Sequence, residues 1–195
     1  MEKTECFERY RLLFLSLKEI VNETERNTLR EEVDFFNKNI NFFVKSYLIT
    51  LCTYLESYLS DAAEWHCDRI NNKLKAASLP HNFLLWRVKK DFKDKELKYI
   101  DADLKVYKSE LSDNLSGNPY KTIKTFSYLG LNLIGSNDFN LNKDIVNAIV
   151  TKRNNIIHHN DHANDISLSD IKGYIDIFIS YIQIIDSVIC KNNQV

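Results

Sequence analysis

The stretch RNNIIHHNDH, residues 153–162, places three of the chain's five histidines beside an arginine. An imidazole with an ordinary pKa of about 6.5 can accept or donate a proton near neutral pH. A guanidinium can bind a phosphate through two parallel hydrogen bonds and stabilise developing negative charge. Arg153 and His158 therefore suit phosphoryl transfer on RNA without a metal, with the histidine moving the proton of a ribose 2′-hydroxyl or of the leaving oxygen.

Helix geometry decides whether these side chains can meet. Successive helical residues turn by about 100°, so Asn154 and His158 share a face, whereas Arg153 lies about 140° from His158. Three arrangements would bring Arg153 and His158 together: a helix that loosens at His158, an arginine that swings round, or two chains that each supply half of the site. His159 offers a second register of the motif, ranked lower because Asn154 aligns with His158.

A long central helix is predicted within a segment from about Leu29 to Lys75, with an irregularity at NKNIN. Its buried face comprises Leu48, Cys52, Leu55, Leu59, Ala62 and His66, at spacings of three and four. Glu56 lies at the edge of this face, where a carboxylate needs a cationic partner. Arg153 is the candidate partner, and the alternative is a half-exposed surface carboxylate.

Three further helices are predicted from apolar periodicity. The first has an apolar face and ends at the NETERNT stretch. That face comprises Phe7, Leu12, Phe14, Leu15, Leu17 and Ile20. The motif helix has the stripe Leu141, Ile145, Ile149 and Ile156, with Asn140 or Asn142 as its cap. The last helix runs from Ser167 or Ser169 to about Ile189, with the stripe Ile171, Ile175, Phe178, Ile182, Ile185 and Ile189. Further apolar residues widen that stripe, which indicates burial against more than one neighbour, including a second copy of the chain.

Composition predicts one mostly helical domain over residues 1–195, with a variable middle at about 80–140. The chain has 195 residues, 44% hydrophobic and 27% charged, values typical of a folded domain. It has only four glycines and two prolines, fewer turn residues than a sheet protein of this size needs. SLPHN and LSGNPY are the clearest breaks between helices.

Charge and cysteine content narrow the function classes. A net charge of -1 argues against a uniformly basic surface for nonspecific nucleic-acid binding, but leaves room for a local basic patch. Cys6, Cys52, Cys67 and Cys190 form no C-x-x-C pair and are expected to be reduced residues of a cytoplasmic protein. The last apolar run is interrupted by Asp176, Gln183 and Asp186, so no membrane segment is expected.

Other interpretations of the motifs stay open. Cations at a helix C-terminus can simply complement its dipole, and His158, His159 and His162 could bind zinc, although their spacing matches no known zinc helix. The DAD sequence at 101–103 could bind magnesium, but in so charged a stretch it favours a solvated face. The same holds for the basic run between Arg87 and Lys98, whose lysines could contact phosphates if RNA binds. No glycine-rich phosphate loop and no G-x-S-x-G elbow is present, which counts against P-loop nucleotide hydrolases and serine hydrolases. No cofactor is expected.

The sequence from Arg153 to His158, near the end of the penultimate helix, resembles the Arg-x4–6-His motif of the HEPN superfamily. Asn154 fits the polar residue that follows the arginine in that pattern. The stretch LITLCTYLESYLSD, residues 48–61, is similar to the long helix of the prokaryotic RiboL-PSP and MAE_28990-like HEPN groups. The likeness covers roughly residues 40–75 and 140–190 and leaves the middle unmatched.

The resemblance implies an all-α, HEPN-type helical bundle with a helical insertion in the middle. It also implies a metal-independent endoribonuclease, often a toxin or antiviral-defence effector, that acts as a homodimer on an RNA substrate. Arg153 and His158 would be the catalytic pair and Asn154 a supporting residue, while Glu56 and His159 are added from their positions. We expect the dimer to form through the last two helices and the motif loop, with an antitoxin or regulatory protein as a further partner. The alternative is a non-catalytic HEPN-like module that binds RNA or a protein.

Overall fold

The architecture is all-α, as predicted, in the computed structural model, which describes residues 3–29, 34–89, 91, 93–159 and 162–192. The α-helices in these ranges are α1 (Glu5–Thr28), α2 (Asp34–Lys38), α3 (Ile40–Ala76), α4 (His81–Val88), α5 (Lys108–Asn114), α6 (Pro119–Tyr128), α7 (Asn137–His159) and α8 (Leu168–Asn192). Short 3-10 turns occur at Asp94–Glu96 and Leu133–Gly135. The only β-pairing in the described ranges is an isolated bridge between Pro80 and Asp101.

The helix α3 is the centre of the bundle and contacts α1, α5, α7 and α8. Its predicted buried face is confirmed, because all six residues of the stripe from Leu48 to His66 are at most 3% exposed. The predicted irregularity at NKNIN is also present, since α2 ends at Lys38 and α3 begins at Ile40. Of the four cysteines, Cys6, Cys52 and Cys67 are buried, and Cys190 is half-buried; all four are free thiols.

The prediction for the first helix was wrong at its end and in part of its buried face. The helix α1 continues through NETERNT to Thr28, while Leu12 and Ile20 point outward. Burial of Val21 and Thr24 extends the helix, and the Thr24 hydroxyl lies 2.6 Å from the Tyr47 hydroxyl of α3. This tertiary contact outweighs the turn-forming tendency of the asparagines and threonines.

The prediction for the start of the motif helix was also wrong. The helix α7 begins at Asn137, so Asn140 and Asn142 lie inside it rather than capping it. Phe139 is fully buried and stacks on Tyr181 of α8, with ring centroids 5.1 Å apart, and this burial extends the helix toward its N-terminus. Two residues of the predicted apolar stripe face solvent instead: Leu141 is 73% exposed, and Ile145 is also exposed.

The predicted stripe of α8 is fully buried, each of its six residues being 0% exposed. The Ser167 hydroxyl accepts a hydrogen bond from the Asp170 N–H at 3.1 Å, and the Asp170 carboxylate accepts from the Ser167 N–H at 2.8 Å, a reciprocal cap that starts the helix. By length and composition α8 could cross a membrane, a property that core helices share. Here its buried stripe packs against α1, α3 and α7.

Candidate functional site

Arg153 lies on the inward side of α7, in line with the buried residues Ile149, Val150 and Ile156. These residues recur at spacings of three and four, which keeps them on the face that packs against α3 and α8. The Arg153 side chain is consequently only 14% exposed. A guanidinium in this position needs a charge partner, because an unpaired buried cation is costly.

Glu56 of α3 is that partner. Its Oε1 atom accepts a hydrogen bond from Nη2 of Arg153 in a close ion pair, and the Glu56 side chain is 34% exposed. The pairing predicted from the position of Glu56 on α3 is therefore present. The Nε–H of Arg153 is buried and has no hydrogen-bond partner among the described residues, so the guanidinium keeps unused donor capacity.

A turn from the middle of the chain completes the surroundings of the ion pair. The N–H of Gly117 donates to the same Oε1 atom of Glu56 at 3.2 Å. A Cβ atom at Gly117 would lie 3.0 Å from Cγ2 of Val150 and 3.5 Å from Oε1 of Glu56. A side chain at this position would therefore press on Val150 of α7.

Asn118 fixes the turn between two helices. Its Oδ1 atom accepts from the N–H groups of Tyr120 at 2.9 Å and Lys121 at 3.3 Å, which caps α6. Its Nδ2 atom donates to Oδ1 of Asn147 on α7 at 3.3 Å. Sequence reasoning recognised LSGNPY as a turn but missed its place in the site, because nothing in the local pattern indicates which helices a turn will contact.

Cys52 lies one helical turn before Glu56 and is fully buried. Burial raises the pKa of its thiol to about 12, while the nearby Arg153 guanidinium acts in the opposite direction. The thiol is thus protonated at neutral pH and serves as packing beside the ion pair rather than as a nucleophile.

His158 and His159 occupy the exposed end of α7. The helix continues through His159, so of the three arrangements considered, a helix that loosens at His158 is not the one seen. Arg153 pairs with Glu56 of α3, whereas the His158 side chain is exposed at the end of α7. The half-buried Asn154 shares a face with His158, as predicted.

A polar strip runs along this face of α7. Asn147, Asn154 and His158 fall within about 40° of one another on an ideal helix. The Asn118 side chain contacts the strip at Asn147, and His158 lies at its other end. The strip therefore links the Gly117 turn to the histidine end of the motif.

The metal interpretations gain no support from the geometry. Among the described residues, no three histidine, cysteine, aspartate or glutamate side chains are grouped closely enough to hold a metal ion. Asp103 of the DAD sequence instead accepts a hydrogen bond from Nδ2 of Asn71 at 2.9 Å and lies 3.4 Å from Nζ of Lys75. Both contacts attach this part of the middle to α3.

A groove with a volume of about 910 Å³ lies between the start of α7 and α8. Its lining includes Leu141, Ser180, Gln183, Ile184 and Val188, and none of the five predicted site residues.

Similarity to known proteins identifies the family of this chain. The sequence profile of the RiboL-PSP-HEPN family matches residues 8–191. The match runs through the middle of the chain, which the resemblance seen in the sequence left out. A search of functionally curated proteins and a search of solved structures each gave no match. A match over nearly the whole length, together with the all-α fold, places this chain in the RiboL-PSP-HEPN family of the HEPN superfamily.

Proposed function

We propose that this protein is a metal-independent endoribonuclease of HEPN type. The observation that carries the proposal is an Arg-Asn-x-x-x-His run at the end of α7, in a HEPN-family chain whose arginine is held by Glu56 and the Gly117 turn. In a cell it would act as a toxin or antiviral-defence effector, restrained by an antitoxin or regulatory protein.

The reaction is an internal transfer of the phosphate. The ribose 2′-oxygen forms a bond to the adjacent phosphorus while the bond to the 5′-oxygen breaks, leaving a 2′,3′-cyclic phosphate and a free 5′-hydroxyl. One imidazole takes the 2′-hydroxyl proton and a protonated imidazole gives a proton to the leaving oxygen. Arg153 neutralises the charge that builds on the phosphate, and Asn154 holds a phosphate oxygen or the ring of His158.

Two copies of the chain would supply the two imidazoles. Within one chain His158 lies about 140° round the helix from Arg153, so a second α7 facing the first is the arrangement that gathers both types of side chain. Leu141 and Ile145 on α7 are exposed apolar residues, and Ile157 beside His158 is 46% exposed. These surfaces suit a homodimer formed through the last two helices and the motif loop.

Purified protein incubated with labelled single-stranded RNA in excess EDTA tests the proposal. The wild type should cleave and leave cyclic-phosphate ends, whereas Arg153→Ala and His158→Ala should lose at least about a hundredfold in rate. His162→Ala, a nearby exposed histidine outside the motif, is the matched control and should cleave normally. His159→Ala distinguishes the two registers of the motif.

Mixing experiments address the dimeric site. A ninefold excess of His158→Ala protein places nearly all wild-type chains in mixed dimers, so cleavage per wild-type chain should fall about tenfold. Cleavage that stays proportional to the wild-type protein would show that one chain is sufficient. In cells, induced wild type should slow growth and His158→Ala should not.

The second candidate is a non-catalytic HEPN-like module that binds RNA or a protein partner. The observation that favours it is the ion pair between Arg153 and Glu56 of α3, which already balances the charge of the guanidinium. This candidate predicts no cleavage of any RNA and no growth defect.

A further inference from the structure

The described residues between 81 and 100 begin and end at the same point beside the end of α3. The N–H of His81 donates to the Ile100 carbonyl at 3.0 Å, and the N–H of Ala102 donates to the Leu79 carbonyl at 2.8 Å. Farther out, the N–H of Lys98 donates to Oδ1 of Asn82 at 2.8 Å. We refer to residues 81–100 as the arm, whose two ends are held together by these bonds.

The arm exposes aromatic rings. None of the side chains of α4 is buried, although the helix is rich in apolar residues. Phe83 is 48% exposed, Trp86 60% and Tyr99 92%, and the Phe83 and Trp86 ring centroids lie 6.2 Å apart. Rings that contribute so little to the core present flat apolar faces to a ligand or partner.

The arm is also basic, in contrast with the rest of the chain. It contains six lysines and arginines against three acidic residues, a net charge of +3, while the other residues carry 20 against 24, a net charge of -4. Arg87, Lys93, Lys95 and Lys98 are exposed. The Arg87 guanidinium lies 5.2 Å from the centroid of Trp86, so positive charge and an aromatic face occur at the same place.

We propose that the arm binds unpaired RNA, with Trp86 and Tyr99 stacking on bases and the basic residues contacting phosphates. Aromatic faces interleaved with cations are typical of surfaces that bind single strands without sequence preference. An apolar protein partner would account for the rings but not for the local surplus of positive charge. This inference rests on the proposed function, since it gives the substrate a binding surface remote from the Arg153 and His158 motif.

Binding to a labelled single strand of 2′-O-methyl RNA tests the arm. This RNA lacks the nucleophilic hydroxyl, so fluorescence anisotropy of the full-length protein measures binding without cleavage. Trp86→Ala and Tyr99→Ala should each weaken affinity about tenfold, while Trp86→Phe keeps a stacking face and should stay within about threefold. Replacing Lys93, Lys95 and Lys98 with glutamine should reduce the slope of log affinity against log salt by about 2.

The control is Tyr128→Ala, which removes an aromatic residue that is 76% exposed but lies outside the arm, and it should bind like the wild type. Helical circular dichroism should be unchanged in every arm variant, because none of these side chains is buried. Wild-type binding that the arm substitutions leave unchanged would overturn the inference, as would a wild type that does not bind the strand. If the arm variants bind RNA like the wild type but lose binding to vesicles containing phosphatidylserine, the arm would instead be assigned to a membrane surface.

Cleavage of ordinary RNA, measured in parallel, separates this inference from the proposed function. If the protein binds RNA through the arm but does not cleave it, the inference about the arm is supported and the proposed nuclease function is contradicted. If the protein cleaves RNA and the arm variants bind as well as the wild type, the nuclease function is supported and the inference about the arm is contradicted.

Discussion

Two carboxylates of α3, Asp61 and Glu56, pair with cations that differ in their exposure to solvent. Asp61 contacts Arg9 and Lys108, whose side chains are 59% and 57% exposed, and accepts a hydrogen bond from the Tyr10 hydroxyl at 2.6 Å. Glu56 contacts a single cation among the residues that the structure describes, Arg153, which is only 14% exposed. At Asp61 the carboxylate is the buried member of the cluster, and at Glu56 the cation is.

This difference in exposure indicates that the two contacts have different roles: the Asp61 cluster attaches helices to one another, whereas Glu56 positions one side chain. The cations around Asp61 come from α1 and from the start of α5, so this cluster joins three helices while its cations stay in water. Screening by solvent keeps such contacts weak. The Arg153 guanidinium has little solvent around it, and its partner is fixed by a backbone N–H. Glu56 therefore sets where the arginine points, and this orientation matters for chemistry more than for stability.

The largest expected effect comes from Glu56→Gln. The amide removes the charge partner of Arg153 while keeping the shape, so RNA cleavage should fall on the order of 10- to 100-fold, the range for one hydrogen bond to a charged group. The loss should appear in kcat rather than in KM, because the arginine acts on the transition state. Steady-state kinetics on a labelled RNA measure both constants.

Asp61→Asn is the matched control for that change. It neutralises a carboxylate of the same helix that lies outside the motif, so cleavage should stay within about twofold of the wild type. Equal losses in the two variants would show that both clusters act through stability, and would remove the distinction between them.

A smaller effect is expected from Gly117→Ala. The added methyl group would lie 3.0 Å from Cγ2 of Val150, so either the turn or the Val150 side chain must shift slightly. We expect a loss of about 1–2 kcal/mol in the free energy of unfolding, measured by urea denaturation. Adding Val150→Ala provides room, so the double variant should lose less than the sum of the two single losses. Additive losses would indicate that the turn does not press on α7.

The smallest effect concerns acid stability. Burial tends to raise the pKa of Asp61, but hydrogen bonds from Lys108 and Tyr10 and the charges of Lys108 and Arg9 hold it below its ordinary value of 3.8. The stability that comes from the ionised Asp61 is therefore present above about pH 4 and lost as the pH falls through the lowered folded pKa. Asp61→Asn should cost about 0.5–1 kcal/mol at pH 7, and this deficit should shrink in acid.

Asp186 gives the opposite pH trend. Burial raises the pKa of its carboxyl, against hydrogen bonds from Thr4 that act to lower it. A raised folded pKa contributes stability below the unfolded value, which is lost as the pH rises through the folded pKa. The deficit of Asp186→Asn should therefore be largest in acid and shrink with increasing pH. Parallel denaturation series would refute this assignment if both variants followed the same trend.

Local periodicity was enough to predict some parts of the fold and of the site. The buried faces of α3 and α8 are long, regular stripes, and each is confirmed. The contact between Glu56 and Arg153 could also be predicted, because a carboxylate at the edge of a buried face needs a cation and Arg153 lies in the motif. The catalytic roles of Arg153, His158, Asn154, Glu56 and His159 stay predictions.

Long-range contacts determine what sequence reasoning missed. The end of α1 depends on Thr24 meeting Tyr47, and the start of α7 depends on Phe139 stacking on Tyr181, contacts that no window of neighbouring residues contains. The role of Gly117 depends on a turn reaching α3 and α7 from the middle of the chain. Tertiary packing overrides local propensity in each case.

The continuity of α7 through His159 sets how activity could be switched on. An unbroken helix fixes the positions of its residues relative to one another, so bringing His158 round to Arg153 within one chain would break backbone hydrogen bonds of α7. Under the proposed dimeric mechanism, activity would depend on the concentration of the protein. Dilute monomers would be inactive, and newly made chains would become active as they dimerise.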